Sequence, residues 1–168
     1  GAGDAFGAGG RCQTCILVEG GGRRYLIDCG TSSLIAMRRH GIDPNSIDAI
    51  LLTHLHGDHF GGVPFFILDG VLSSRRERPL VVAGPATSEG RIKDLAEALF
   101  PGMSDIDLRF DLDIVEMEPE QAAEVAGVTV TPYQVDHTPA THPTALRVEC
   151  AGRTVTYSGD TTWTESLI

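Results

Sequence analysis

Nothing in this sequence approaches the run of about 18 apolar residues that a membrane span requires, so no transmembrane helix is expected. Residues 1–10 hold neither a basic leader nor an apolar stretch, and no secretory signal is read there. An initiator methionine is also missing. Lysine is nearly absent: Lys93 stands alone, and 13 basic residues face 23 acids for a net charge of −10. Such a balance argues against a dedicated nucleic-acid binder, whose affinity rests on neutralising phosphates. Four cysteines in 168 residues are too few to staple a domain of this size. Cys12 and Cys15 form a single C-x-x-C that lacks the second pair of a zinc ribbon and runs into an apolar strand rather than opening a helix. Cys29 and Cys150 lie singly in or beside apolar runs, so all four read as reduced thiols of a cytoplasmic protein. Gly1, Gly3 and Gly7 have the wrong spacing for a dinucleotide loop, and neither a G-x-x-x-x-G-K-[ST] phosphate loop nor a G-x-S-x-G elbow occurs.

What is present is a 42% apolar, 21% charged chain, the composition of one globular domain with a real core. Between Ser104 and Glu124 stand eight acids against Arg109 alone, which reads as a solvated, loop-rich edge. A glycine-rich loop at residues 1–10 feeds a β-like run at 14–18. Gly20, Gly21 and Gly22 turn it back into 24–28 as a hairpin. Thr31 or Ser32 is placed to cap a short helix over 34–39, and the continuous apolar run at 49–53 suits a strand covered on both faces. A helix is expected over 65–73, its end carrying Arg75, Arg76 and Arg78 as solvated charges. A strand at 79–83 and a helix from Thr87 or Ser88 to Phe100 follow, then strands at 113–117, 127–135, 144–150 and 153–158. Strands and helices interleave first and strands dominate later, as in sheets covered by helices.

Three of the six histidines fall within six residues, His54-Leu55-His56-Gly57-Asp58-His59. At the end of an apolar strand, His54 and His56 project to one side while Leu55 turns to the core, so both imidazoles reach one cation. Gly57 permits a sharp turn that frees Asp58 and His59 to aim at a second. Imidazoles and a carboxylate packed this closely behind a buried strand are costly unless paired or metal-bound.

The pattern His54-x-His56-x-Asp58-His59 resembles the signature of the metallo-β-lactamase superfamily. Asp28-Cys29-Gly30, Val135-Asp136-His137 and Tyr157-Ser158-Gly159-Asp160-Thr161 are similar to its other strand-end segments. Together with the glycine-rich start and Arg11, they look most like the ribonuclease Z and phosphodiesterase branch. The resemblance implies an α/β fold of the αββα four-layer sandwich kind, spanning residues 1–168 as one domain incomplete at both termini, without the first strand and the C-terminal part. It implies that His54, His56 and His137 bind one divalent metal, that Asp58 and His59 bind another, and that Asp160 bridges both. Zinc suits such N/O ligation, with manganese or iron compatible. Asp58 additionally orients the metal-activated hydroxide or takes its proton. A further histidine that family members supply after the Asp160 strand does not occur, which leaves a fragment, a single-metal site or completion by another chain.

The implied activity is metal-dependent hydrolysis of a phosphodiester, either ribonuclease Z-like or on a small or cyclic diester. The charge disfavours tRNA. The same metals would polarise a carboxyl ester, thioester, lactone or sulfate ester, and a non-catalytic metal-binding member is the reading from another class. Terminal strand edges left by truncation want partners, so the intact chain or a homo-oligomer is expected to be more stable than this piece. His142 competes with His137 for one ligand position. His137 follows the apolar run directly and takes it, leaving His142 as a loop residue near the pocket or a proton-transfer group. His40 reads as a helix-end residue with no role in the site.

Overall fold

Hairpin formation starts the fold in the computed structural model, which describes residues 1–167. β1 (Ile16–Gly20) and β2 (Arg23–Ile27) pair antiparallel around Gly21 and Gly22, whose φ values of 58° and 74° are those of a two-residue type I′ turn. After β2 the chain enters α1 (Ser33–Arg39), then β3 (Ala49–Leu51), α2 (Gly57–Phe60) and α3 (Val63–Leu72). β4 (Leu80–Gly84), α4 (Ser88–Leu99) and β5 (Leu112–Glu116) complete the first half. β3, β4 and β5 add to the hairpin in parallel, giving a five-stranded sheet ordered β1-β2-β3-β4-β5. The second half is an antiparallel meander of β6 (Ala123–Val125), β7 (Val128–Gln134), β8 (Thr144–Cys150) and β9 (Arg153–Tyr157).

Alternation along the strands divides the core in two. Leu26, Ile50, Leu52 and Val82 face the helices, where Met37, Phe60, Val63, Phe66, Ile67 and Ile92 bury against them. Tyr25, Ile27, Leu51 and Ala83 face the second sheet and meet Val128, Val130, Leu146 and Val148. Each fully buried aliphatic side chain contributes about 1.5–3 kcal/mol. Three layers of the four-layer sandwich, helix, sheet and sheet, are thus in place. Among the described residues the outer face of the second sheet carries no α-helix.

Several local expectations give way to tertiary structure. The strand read at 49–53 stops at Leu51, because the Thr53 amide donates to Asp28 Oδ1 (2.8 Å) instead of a ladder partner. α2 forms where only a turn is expected, and β6 is too short and polar to announce itself. The Ser32 hydroxyl accepts from the Gln13 amide (2.8 Å) and makes no cap to α1. The Ser88 hydroxyl donates to Pro85 O (2.6 Å), while Glu116 accepts from the Glu89 amide (3.0 Å) at the start of α4. The eight acids between Ser104 and Glu124 are all exposed, as their clustering predicts.

Arg76 corrects the reading of a solvated arginine cluster. It is 2% exposed, and its guanidinium donates to four carbonyls: Arg78 O (2.7 Å), Pro44 O (3.3 Å), Ile47 O (2.7 Å) and Pro79 O (2.6 Å). The planar fork suits that task, satisfying several carbonyls where the chain turns into β3 and β4. Arg78 stays exposed and pairs with buried Asp48 at 2.6 Å.

Candidate metal centre

Parallel pairing of β2 and β3 sets their C-terminal ends side by side, so Asp28 and Thr53 meet just beyond the sheet. Asp28 takes a left-handed backbone (φ 59°), a conformation that aspartate tolerates better than most residues. Its carboxylate is fully buried and accepts from the Thr53 amide (2.8 Å), the Thr53 hydroxyl (2.9 Å to Oδ2) and His59 Nδ1 (2.7 Å). Two glycines let the histidine segment lie this close. A Cβ on Gly30 would stand 2.2 Å from Asp58 O, and one on Gly62 would stand 2.2 Å from Gly30 O.

Hydrogen bonding dictates which ring nitrogens are left bare. The Thr53 hydroxyl has one proton; with it on Asp28, His54 Nδ1–H donates to Thr53 Oγ1 (3.0 Å) and Nε2 carries only a lone pair. His59 donates from Nδ1 to Asp28, so Nε2 is the nitrogen it offers to a cation, 3.4 Å from Asp160 Oδ1 and 3.5 Å from Asp58 Oδ2. His56 Nδ1 stands 3.1 Å from His54 Nε2 and 3.1 Å from His137 Nε2. A neutral imidazole has one donor and one acceptor, and His54 and His59 have already spent their donors. Lone pairs converging in this way suit a central cation. Tetrahedral nitrogen ligands about 2.0–2.1 Å from zinc stand about 3.3–3.4 Å apart, close to the spacing found.

The structure therefore brings together all six residues singled out in the sequence. Ligand-capable atoms of His54, His56 and His137 lie within 4.8 Å of one another, as do those of His54, His59 and Asp160. The two groups share His54, so two cation positions would adjoin. Leu55 points into the core at 3% exposure, as strand-like alternation predicts, although the segment is an extended loop. His137 and Asp160 come from the second sheet, from the loops after β7 and β9. Thr162 joins these loops, its amide donating to Asp136 O (2.9 Å) and its hydroxyl to Asp136 Oδ2 (2.7 Å). Thr144 ties the second sheet to the first by donating its hydroxyl to Thr53 O (2.8 Å).

Electrostatics act differently on the two buried histidines. Burial and the neighbouring imidazoles of His59, His56 and His137 hold His54 down at about 3, so it is neutral near pH 7. Burial alone would lower His59. The hydrogen bond and charge of Asp28, with Asp160 and Asp58 behind it, outweigh that and raise it, which favours the imidazolium until a cation displaces the proton on Nε2. Burial and the carboxylates of Asp28 and Asp160 push Tyr157 up to about 12, so it remains a phenol.

These side chains open on a cleft of about 670 Å³, which residues 1–6 of the glycine-rich loop line together with His56, Asp58, His59, His137, Tyr157 and Asp160. His142 lies apart from them: exposed and left-handed (φ 49°), it lines a separate 340 Å³ cleft that shares His137. His40 is an exposed residue closing α1, as read. Asp28, Thr53 and Tyr157 are the residues whose parts sequence reasoning missed. The available signal was an acid directly ending an apolar strand and followed closely by glycine.

A family model of the metallo-β-lactamase superfamily matches residues 8–168. The ribonuclease Z of Lachnoclostridium phytofermentans is 31% identical over 145 residues, covering 86% of this chain and 45% of that protein, so the chain spans under half the length of this relative. Among solved structures, the metallo-β-lactamase fold protein YhfI from Bacillus subtilis superposes with a TM-score of 0.73 at 22% identity, over 96% of this chain and 61% of that one. The short form of human tRNase Z does so with a TM-score of 0.68 at 21% identity, over 88% and 62%. Identities this low speak to the fold, whereas the family match covers nearly every residue: the chain belongs to the metallo-β-lactamase superfamily.

Proposed function

We propose that the protein is a metal-dependent hydrolase of phosphodiesters, with one metallo-β-lactamase-fold domain carrying a dinuclear centre. His54, His56 and His137 hold one divalent cation, Asp58 and His59 hold the second, and Asp160 is shared. The observation that carries this reading is the convergence of three ring nitrogens, His56 Nδ1 standing 3.1 Å from both His54 Nε2 and His137 Nε2, beside the His59 and Asp160 pair. The nitrogen and oxygen donor set favours zinc, with manganese and iron also accommodated. Bound there, the metals supply positive charge that acidifies water and stabilises the developing oxyanion.

The chain's own groups do the rest. Asp28 and Thr53 orient His59 and His54 so that Nε2 of His59 meets Asp160 and Asp58 and Nε2 of His54 meets His56. Asp58, on the cleft wall beside His59, orients the attacking water and accepts its proton. Tyr157 keeps its own proton and lines the cleft. No lysine or arginine is found among the described residues lining the cleft, which supports a small or cyclic diester over a long RNA. The name ribonuclease Z among the relatives supports the phosphodiester class itself. Four unpaired thiols support a reducing, cytoplasmic setting. A homo-oligomer is the assembly expected, which sedimentation would measure.

Metal analysis combined with hydrolysis of bis(p-nitrophenyl) phosphate tests the reading. Near two metals per chain, and turnover abolished in Asp58→Ala, are expected. Metal binding without diester turnover would move the activity to carboxyl esters or to a non-catalytic role. A protein that takes up no metal would overturn the proposal.

A further inference from the structure

Phe6 is 95% exposed, the most exposed large apolar side chain among the described residues. A single apolar residue in water needs no explanation by itself. Its position does, because it lines the same cleft as His56, Asp58, His59, His137 and Asp160.

The loop that displays it is firmly held. Asp4 Oδ1 accepts from the amides of Phe6 (3.0 Å) and Ala8 (3.1 Å), closing a turn around the aromatic residue. The Ala8 amide foremost lowers the Asp4 carboxyl, although burial opposes it, so the charge that closes the turn persists. The Gln13 side chain donates to Ala5 O (3.0 Å) and accepts from the Thr31 hydroxyl (2.6 Å), fastening the loop to the segment before α1. The Gly3 amide donates to Cys12 O (2.8 Å), and a Cβ on Gly3 would stand only 2.7 Å from that oxygen. With the backbone fixed in this way, the exposed ring gains nothing from the protein's own core, and only its side-chain rotamers remain to be ordered when a ligand covers it.

The cleft combines two chemistries. Imidazoles and carboxylates suit an anionic ester head with its cations, whereas Ala2, Ala5, Phe6 and Ile16 offer apolar surface. No lysine or arginine lines it among the described residues, so a second phosphate has no partner there.

We propose that Phe6 is a specificity-determining residue on which a planar ring of the substrate, an aryl or nucleobase group, stacks while the ester head reaches the histidine cluster. This rests on the hydrolase reading above and adds a substrate class to it: monoanionic esters bearing a planar ring close to the phosphorus.

Calorimetric binding to the zinc-loaded protein tests the proposal without turnover. Two pairs of monoanionic ligands differ by a ring: methyl phenylphosphonate against methyl methylphosphonate, and uridine 5′-(methyl phosphate) against ribose 5-(methyl phosphate). In at least one pair the ring-bearing member binds about tenfold tighter to the wild type, equal to about 1.4 kcal/mol and within the range for aromatic stacking. That ratio collapses towards one in Phe6→Ala and returns in Phe6→Trp, and the responding pair tells aryl from nucleobase. An unchanged ratio in Phe6→Ala, or no ring preference in the wild type, overturns the assignment while leaving the hydrolase reading intact. A wild-type protein that takes up zinc and binds none of the four ligands defeats the hydrolase reading, and this proposal with it.

Discussion

Asp28→Asn isolates the support of the His59 side of the centre. Asparagine matches aspartate in size and tolerates the φ of 59°, so the backbone has no reason to move. One carboxylate oxygen becomes an NH₂ group. Turned towards Thr53, that group would oppose the Thr53 amide, which cannot change its role. A buried donor would then be stranded at about 1–3 kcal/mol. Turned towards His59 instead, it opposes Nδ1, and the imidazole relieves the conflict by moving its proton to Nε2. The second arrangement costs less, and it blocks the nitrogen that faces Asp160 and Asp58. Loss of such an orienting partner weakens metal binding by about 10–100-fold, or about 1.4–2.7 kcal/mol. Zinc competition against a chromophoric chelator should show one zinc at wild-type affinity and one weakened to this extent. The melting temperature in EDTA should fall by only a few degrees. Two zincs held as tightly as in the wild type would refute the tautomer argument, and equal weakening of both would refute the assignment of His59 to a separate position.

Acidification should destabilise the metal-free protein. The folded-state value of His54, about 3, lies below the ordinary 6.5, so the unfolded chain takes up a proton first; this contribution is complete above about pH 6.5 and is lost as pH falls towards 3. His59, held up by Asp28, acts oppositely, contributing below about pH 6.5 and losing that contribution as pH rises through its folded value. Thermal melts in EDTA between pH 7 and 4.5 should show the fall, and His54→Gln should flatten it. Arg76→Met removes the donor to four carbonyls, a loss of about 3 kcal/mol that corresponds to about 6–12 °C for a domain of this size. Its zinc stoichiometry should match the wild type, and an unchanged melting temperature would deny the clamp any part in stability.

Sequence reading succeeded where the controlling interactions are local. His54, His56, Asp58 and His59 were legible because their spacing alone restricts where the side chains can point. The strand at 128–134 and the helix at 88–99 were legible through a β-rich run and a Pro101-Gly102 stop, signals that need only neighbouring residues. Asp28 was seen only as a strand end, because its three donors come from Thr53 and His59, 25 and 31 residues away. Arg76 was misread for a related reason: its carbonyl partners at Pro44 and Ile47 lie about 30 residues upstream, and nothing in the local charge pattern reveals them. Ser32 and Ser88 had the residue type of caps, yet each found a better-placed tertiary or loop partner.

The centre is assembled from two distant parts of the chain. Four of its side chains sit within six residues, while His137 follows His56 by 81 residues and arrives with the other sheet. A nascent chain can shape the first cluster by local contacts alone, but the remainder must wait for a long loop to close and the sheets to meet. High affinity for a cation is therefore expected only once the sheets have docked, late in folding. An interaction formed that late leaves the folding rate nearly untouched and acts on the reverse step. Such a centre is a clasp between the sheets, and its benefit is a longer lifetime of the native state rather than faster arrival there.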